Sequence, residues 1–69
     1  MTPDQLVTLG RLLFGNRYAA DMARALGVSR QNVHKWIEGA WSPAPAKVEA
    51  FKAIAAQRIR DIRKAMRAK

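Results

Sequence analysis

The twenty residues Ala19–Glu38 constrain this chain more than any other stretch. They hold a single glycine, Gly27, with helix-forming residues on both sides. Gly27 falls where a first helix ends and the backbone needs a positive φ, which glycine adopts without steric cost. Ser29 is a natural N-cap for a second helix, Arg30–Glu38, and Gly39 stands just past its end. Two short helices joined by so tight a turn must cross closely. Ala23, mid-way along the first helix, leaves room for the crossing. Leu26 and Val28 flank the turn and are expected to point inward. This is the layout of a helix-turn-helix, whose second helix lies in the DNA major groove.

The second helix divides into two faces. At 100° per residue, Val33 and Trp36 share one side and are expected to face the core together with Ser29. Arg30, Gln31, His34, Lys35 and Glu38 fall on the opposite arc, an edge rich in groups that can bond to bases. Any amphipathic helix has this periodicity. It does not require small, glycine, β-branched and tryptophan residues together at these separations.

Upstream, Thr2-Pro3-Asp4-Gln5 is a capping box with proline at the first helical position. Leu6, Leu9 and Leu13 then form a stripe, widened by Val7, Leu12 and Phe14, and Gly15-Asn16 ends the helix. The next helix runs roughly from Arg17 to Leu26. Ala40–Pro45 is the one clear loop. Pro45 is expected to open the last helix, because the residue before a proline is pushed out of the α region. From Ala46 to Lys69 there is neither glycine nor proline, which leaves open whether one helix or two close the chain.

Thirteen Lys and Arg stand against five Asp and Glu, giving a net charge of +8, with a pI near 11.3. An excess of that size points to a polyanionic partner. A chain of 69 residues is expected to form one domain, and it buries only about 60% of its unfolded surface. The expected fold is all-α: a compact helix-turn-helix bundle of four to five helices with a long basic C-terminal helix. The helix-turn-helix core spans about residues 17–38 and the C-terminal segment about 45–69.

Ala23, Gly27-Val28-Ser29, Val33, Trp36, Gly39 and Pro43 together resemble the phage Cro/CI-like repressor family of helix-turn-helix proteins. The likeness covers about residues 16–54. The short chain and basic tail are also similar to small phage regulators, including those associated with anti-CRISPR operons. The resemblance implies a repressor, and it implies that Ser29, Arg30, Gln31, His34 and Lys35 supply base and nearby phosphate contacts. The chain departs from the family at Ala19, where a glutamine often contacts the DNA backbone. Here that contact is either absent or made by Asn16, Arg17 or Tyr18.

The side chains suggest how bases could be read. Arg30 can bond to guanine O6 and N7 in bidentate fashion, and Gln31 can do so with adenine N6 and N7. His34 suits a guanine acceptor or a phosphate, and Lys35 a phosphate as well as a base. Arg17, Tyr18, Ser29, Asn32, Trp41, Ser42 and Lys47 stand at helix ends or in the loop, where backbone-positioning contacts cluster. Tyr18 also reads as a half-buried surface aromatic, Asn32 as a solvated side chain, and Trp41 as cover for the core edge.

Val48, Phe51, Ala55, Ile59, Ile62 and Met66 recur at three to four residues, with Ile54 beside them. The first half of this stripe can cover the core. The second half reaches beyond it and reads as a homodimer interface of Ile59, Ile62 and Met66, or as a frayed basic tail. A two-fold pair sets its recognition helices about 34 Å apart and predicts a palindromic operator.

Other functions fit less well. One histidine, no cysteine and five scattered carboxylates offer no acid–base pair, nucleophile or metal site, so neither an enzyme nor a cofactor is expected. The lack of cysteine suits a reducing cytoplasm. No apolar run spans a bilayer, and Met-Thr-Pro-Asp does not open a secretory signal. The last residues form a basic amphipathic segment of the kind that lies on membranes, but its distal stripe lacks tryptophan. A DNA-binding antitoxin, which also holds a protein partner, is the alternative function.

Overall fold

A computed structural model describes residues 1–68. Lys69, the last residue of the expected C-terminal segment, lies outside them. The described residues are all-helical, with no strand among them. The elements are α1 (Pro3–Phe14), a 3-10 turn (Gly15–Arg17), α2 (Tyr18–Leu26), α3 (Arg30–Glu38) and α4 (Pro45–Arg67).

Each helix starts and stops for a local reason. Thr2 Oγ1 accepts from the Gln5 N–H at 3.1 Å, and the Thr2 N–H donates to Gln5 Oε1 at 3.0 Å, so the capping box is complete. Gly27 ends α2 at φ 69° and Gly39 ends α3 at φ 81°. Ser29 Oγ accepts from the Asn32 N–H at 3.1 Å and caps α3. Ala44 is extended, and Pro45 opens α4. The chain from Pro45 to Arg67 is one helix of 23 residues.

α1, α2 and α3 pack on one another, and the first half of α4 closes the bundle against α1 and α2. The core is Leu6, Leu13, Met22, Ala23, Leu26, Val33, Trp36 and Phe51, with Leu9, Phe14, Tyr18, Val28, Ile37, Ile54 and Ala55 packed around it. Gly10 is buried where α2 crosses α1. A Cβ there would meet Met22 Cε at 2.8 Å and Tyr18 Cδ2 at 3.0 Å. Lys47 Nζ donates to the Leu26 carbonyl at 2.8 Å, tying α4 to the open C-terminal end of α2.

Two inward expectations do not hold. Leu12 is 78% exposed rather than part of the buried stripe, because no helix covers that side of α1. Ser29 is exposed, not core-facing; its hydroxyl is used as a cap.

From Ala56 onward every described residue of α4 is exposed. This half of the helix runs past the core for about 18 Å at 1.5 Å per residue. The projection accounts for dimensions of 45 × 23 × 20 Å. Among the described residues no helix is long and apolar enough to cross a membrane.

Candidate nucleic-acid interface

The core dictates which side of α3 is free. Val33 is 0% and Trp36 6% exposed, fixing the rotation of the helix. Arg30, Gln31, His34 and Glu38 are then exposed, while Asn32 and Lys35 are half-buried. The two ion pairs among the described residues are Arg24–Asp21 and Lys52–Glu49. Neither involves α3, so no carboxylate among the described residues pairs with Arg30 or Lys35.

Arg30 and His34, one turn apart, do not stand alone. With Asn16, Arg17, Ala19 and Ala20 they line a shallow concavity of about 290 Å³. Two guanidinium-bearing side chains, an imidazole and an amide surround a floor of small alanines. Such a cleft presents several N–H donors to an oxyanion, and a phosphate diester fits that chemistry. Ala19 leaves it open where a longer side chain would fill it. Asn16 and Arg17, two of the three neighbours considered for the contact that Ala19 lacks, are thereby gathered beside Arg30 and His34. The grouping depends on the crossing of α2 over α3, so helical periodicity alone does not reveal it.

Beyond the other end of α3 the chain turns back on itself. The Ala40 and Trp41 N–H groups donate to the Lys35 carbonyl at 3.0 and 3.2 Å. The Lys35 ammonium lies 6.0 Å from the Trp41 ring centroid, at the limit of a cation–π contact. Trp41 is 54% exposed and borders, with Ser42, Leu6 and Trp36, a crevice between the start of α1 and this loop. It therefore borders the core edge and stands beside Lys35. Tyr18 is half-buried, with the Arg11 guanidinium 5.6 Å from its ring centroid.

Lys47 is separate from this group. Half-buried and bonded to the Leu26 carbonyl, it has an internal partner. Ile59, Ile62 and Met66 are 50%, 51% and 71% exposed and lie on the projecting half of α4, apart from the α3 face. Arg58, Arg60, Arg63, Lys64 and Arg67 share that half with Asp61. Asp61 Oδ1 accepts from Gln57 Nε2 at 2.9 Å, and Gln57 Oε1 accepts from Arg60 at 2.8 Å.

In comparisons with known proteins, the chain matches no family model, no curated protein and no solved structure. The functional reading therefore rests on the residues themselves.

Proposed function

We propose that this chain is a sequence-specific double-stranded DNA-binding transcriptional regulator. It acts as a phage-type repressor or autoregulator, binding a palindromic operator as a homodimer. In this reading α2, its turn and α3 form a helix-turn-helix, with residues 29–38 as the recognition helix, and α4 is the long basic helix that closes the bundle. The observation that carries the proposal is the free face of α3: Arg30, Gln31 and His34 are exposed on a helix whose rotation is locked by buried Val33 and Trp36.

Each group then has a role. Arg30 and Gln31, at the N-terminal end of α3, enter the major groove and read base edges. His34 and Lys35 bond a base or the adjacent phosphate. Asn16 and Arg17 hold a backbone phosphate in the cleft beside them, and Tyr18, Ser29, Asn32, Trp41 and Ser42 border the backbone path. Ile59, Ile62 and Met66 join the two copies. The charge of +8 supplies attraction independent of sequence.

Selection from a randomised duplex library tests this reading. The expected product is one enriched palindromic motif, protected in footprinting with its half-sites about one helical turn apart. A pool without enrichment, bound no better than the starting library, contradicts it.

A further inference from the structure

Two apolar features stay open once the core is closed. One is a groove of about 590 Å³ between α1 and α4, walled by Met1, Thr8, Leu9, Leu12 and Lys52. The other is the stripe Ile59, Ile62 and Met66. They form a single strip. Lys52, Ile59 and Met66 are seven residues apart, and seven residues return an α-helix to within about 20° of the same side. Ala55 and Ile62 occupy the alternate positions of that seam. A strip with a groove at one end and apolar knobs at the other complements itself when reversed.

We propose that this groove receives α4 of a second copy. The two α4 helices pair antiparallel about a two-fold axis beside Ile59, and Met66 of each copy seats against Leu9 and Leu12 of the other. The inference rests on the homodimer reading above and adds the receiving site, which lies on α1. Charge supports the pairing. Of the five carboxylates in the chain, Asp4 lines the groove and Glu49 pairs with its Lys52 wall at 3.6 Å. Arg63 and Arg67 flank Met66. An arginine-flanked anchor thus meets a groove that holds one carboxylate, Asp4, and one ammonium, Lys52, rather than a second run of cations. Parallel pairing would instead set Arg60, Arg63, Lys64 and Arg67 against their own copies.

The spacing also suits a DNA-binding pair. Phe51 is eight residues from Ile59, so antiparallel overlap separates the two cores by about 24 Å along the helix axis. Lateral packing adds a perpendicular offset of about 8–10 Å, giving about 26 Å between the cores, the same order as the ~34 Å between major-groove faces one turn apart.

The chain has no cysteine, so single cysteines report contacts between copies. Leu12→Cys and isotopically labelled Met66→Cys are prepared separately, mixed and mildly oxidised. The mixed disulfide should dominate, because the two Met66 positions lie about 21 Å apart in this arrangement. Leu12→Lys, at an exposed site, sets a further cation against Arg63 and Arg67 of the other copy; it should keep its helical circular dichroism and raise the dimer dissociation constant by about tenfold or more in sedimentation. A wild-type dimer that forms no mixed disulfide and tolerates Leu12→Lys overturns the groove but leaves DNA binding intact, which footprinting reads separately. A chain that stays monomeric at high concentration, or that uses the stripe to bind anionic vesicles, also overturns it.

Discussion

α3 and the distal half of α4 are both basic, amphipathic and largely exposed, yet they are held in different ways. α3 is fixed by two buried anchors, Val33 and Trp36, and by caps at both ends, Ser29 and Gly39. Among the described residues, distal α4 has only the Gln57–Asp61 and Arg60–Gln57 side-chain hydrogen bonds along its own length, and its apolar side chains face solvent. An isolated helix of that length is marginal in water, because most helical stability comes from packing. The contrast teaches that amphipathicity predicts a face, and packing decides what the face is for. An anchored helix can offer fixed donors to a duplex. An unanchored one needs a partner to define it.

The largest expected effect tests where the anchoring of α4 stops. Phe51 is 1% exposed. Phe51→Ala should cost about 3–5 kcal/mol, comparable to the whole stability of about 3–10 kcal/mol expected for a chain of this size. Thermal melts should show loss of the cooperative transition. A melt close to wild type would erase the boundary between the two halves of α4. Next, Gly10→Val should destabilise by about 1–3 kcal/mol in denaturant titration, since its side chain must displace Met22 and Tyr18. A neutral outcome would mean that the α1–α2 contact beneath α3 is loose.

Much of this arrangement can be read from residues alone. The capping box at Thr2, the Gly27 turn, the Ser29 cap and the Pro45 start are local chemistry, and local chemistry is written in consecutive residues. The burial of Val33 and Trp36 follows from helical period. What escapes the period is whatever depends on how helices cross. Gly10 is unremarkable in sequence and becomes necessary only when α2 passes over it. Leu12 fits the α1 stripe by spacing but has no helix above it. The cleft of Asn16, Arg17, Arg30 and His34 draws on two elements thirteen or more residues apart. Lys47 reads in sequence as a backbone-positioning cation, and its bond to the Leu26 carbonyl depends on the path of α4.

Smaller effects sharpen the contrast further. Ser29→Ala removes the α3 cap and should cost about 1 kcal/mol in thermal stability; no change would show that the buried anchors alone hold the helix. Hydrogen exchange should separate the two regions by concentration. Amides of α2 and α3 should keep constant protection, whereas those of residues 56–67 should gain protection as the protein is concentrated and copies pair. Concentration-independent protection of the distal half would contradict a partner-defined helix. Arg63→Gln should weaken binding alike on all duplexes and lower the salt slope by about 1 if this side chain neutralises one phosphate. An unchanged slope would assign Arg63 to the protein–protein contact alone.

In the proposed reading, α3 carries Arg30 into a base-reading position. Fluorescence anisotropy of Arg30→Ala, on the selected duplex and on a scrambled one at the same salt, separates base reading from phosphate neutralisation. A loss of about 1–3 kcal/mol is expected on the selected duplex, with little change on the scrambled one. Equal losses on both would show that Arg30 only neutralises phosphate, and would remove it from base reading.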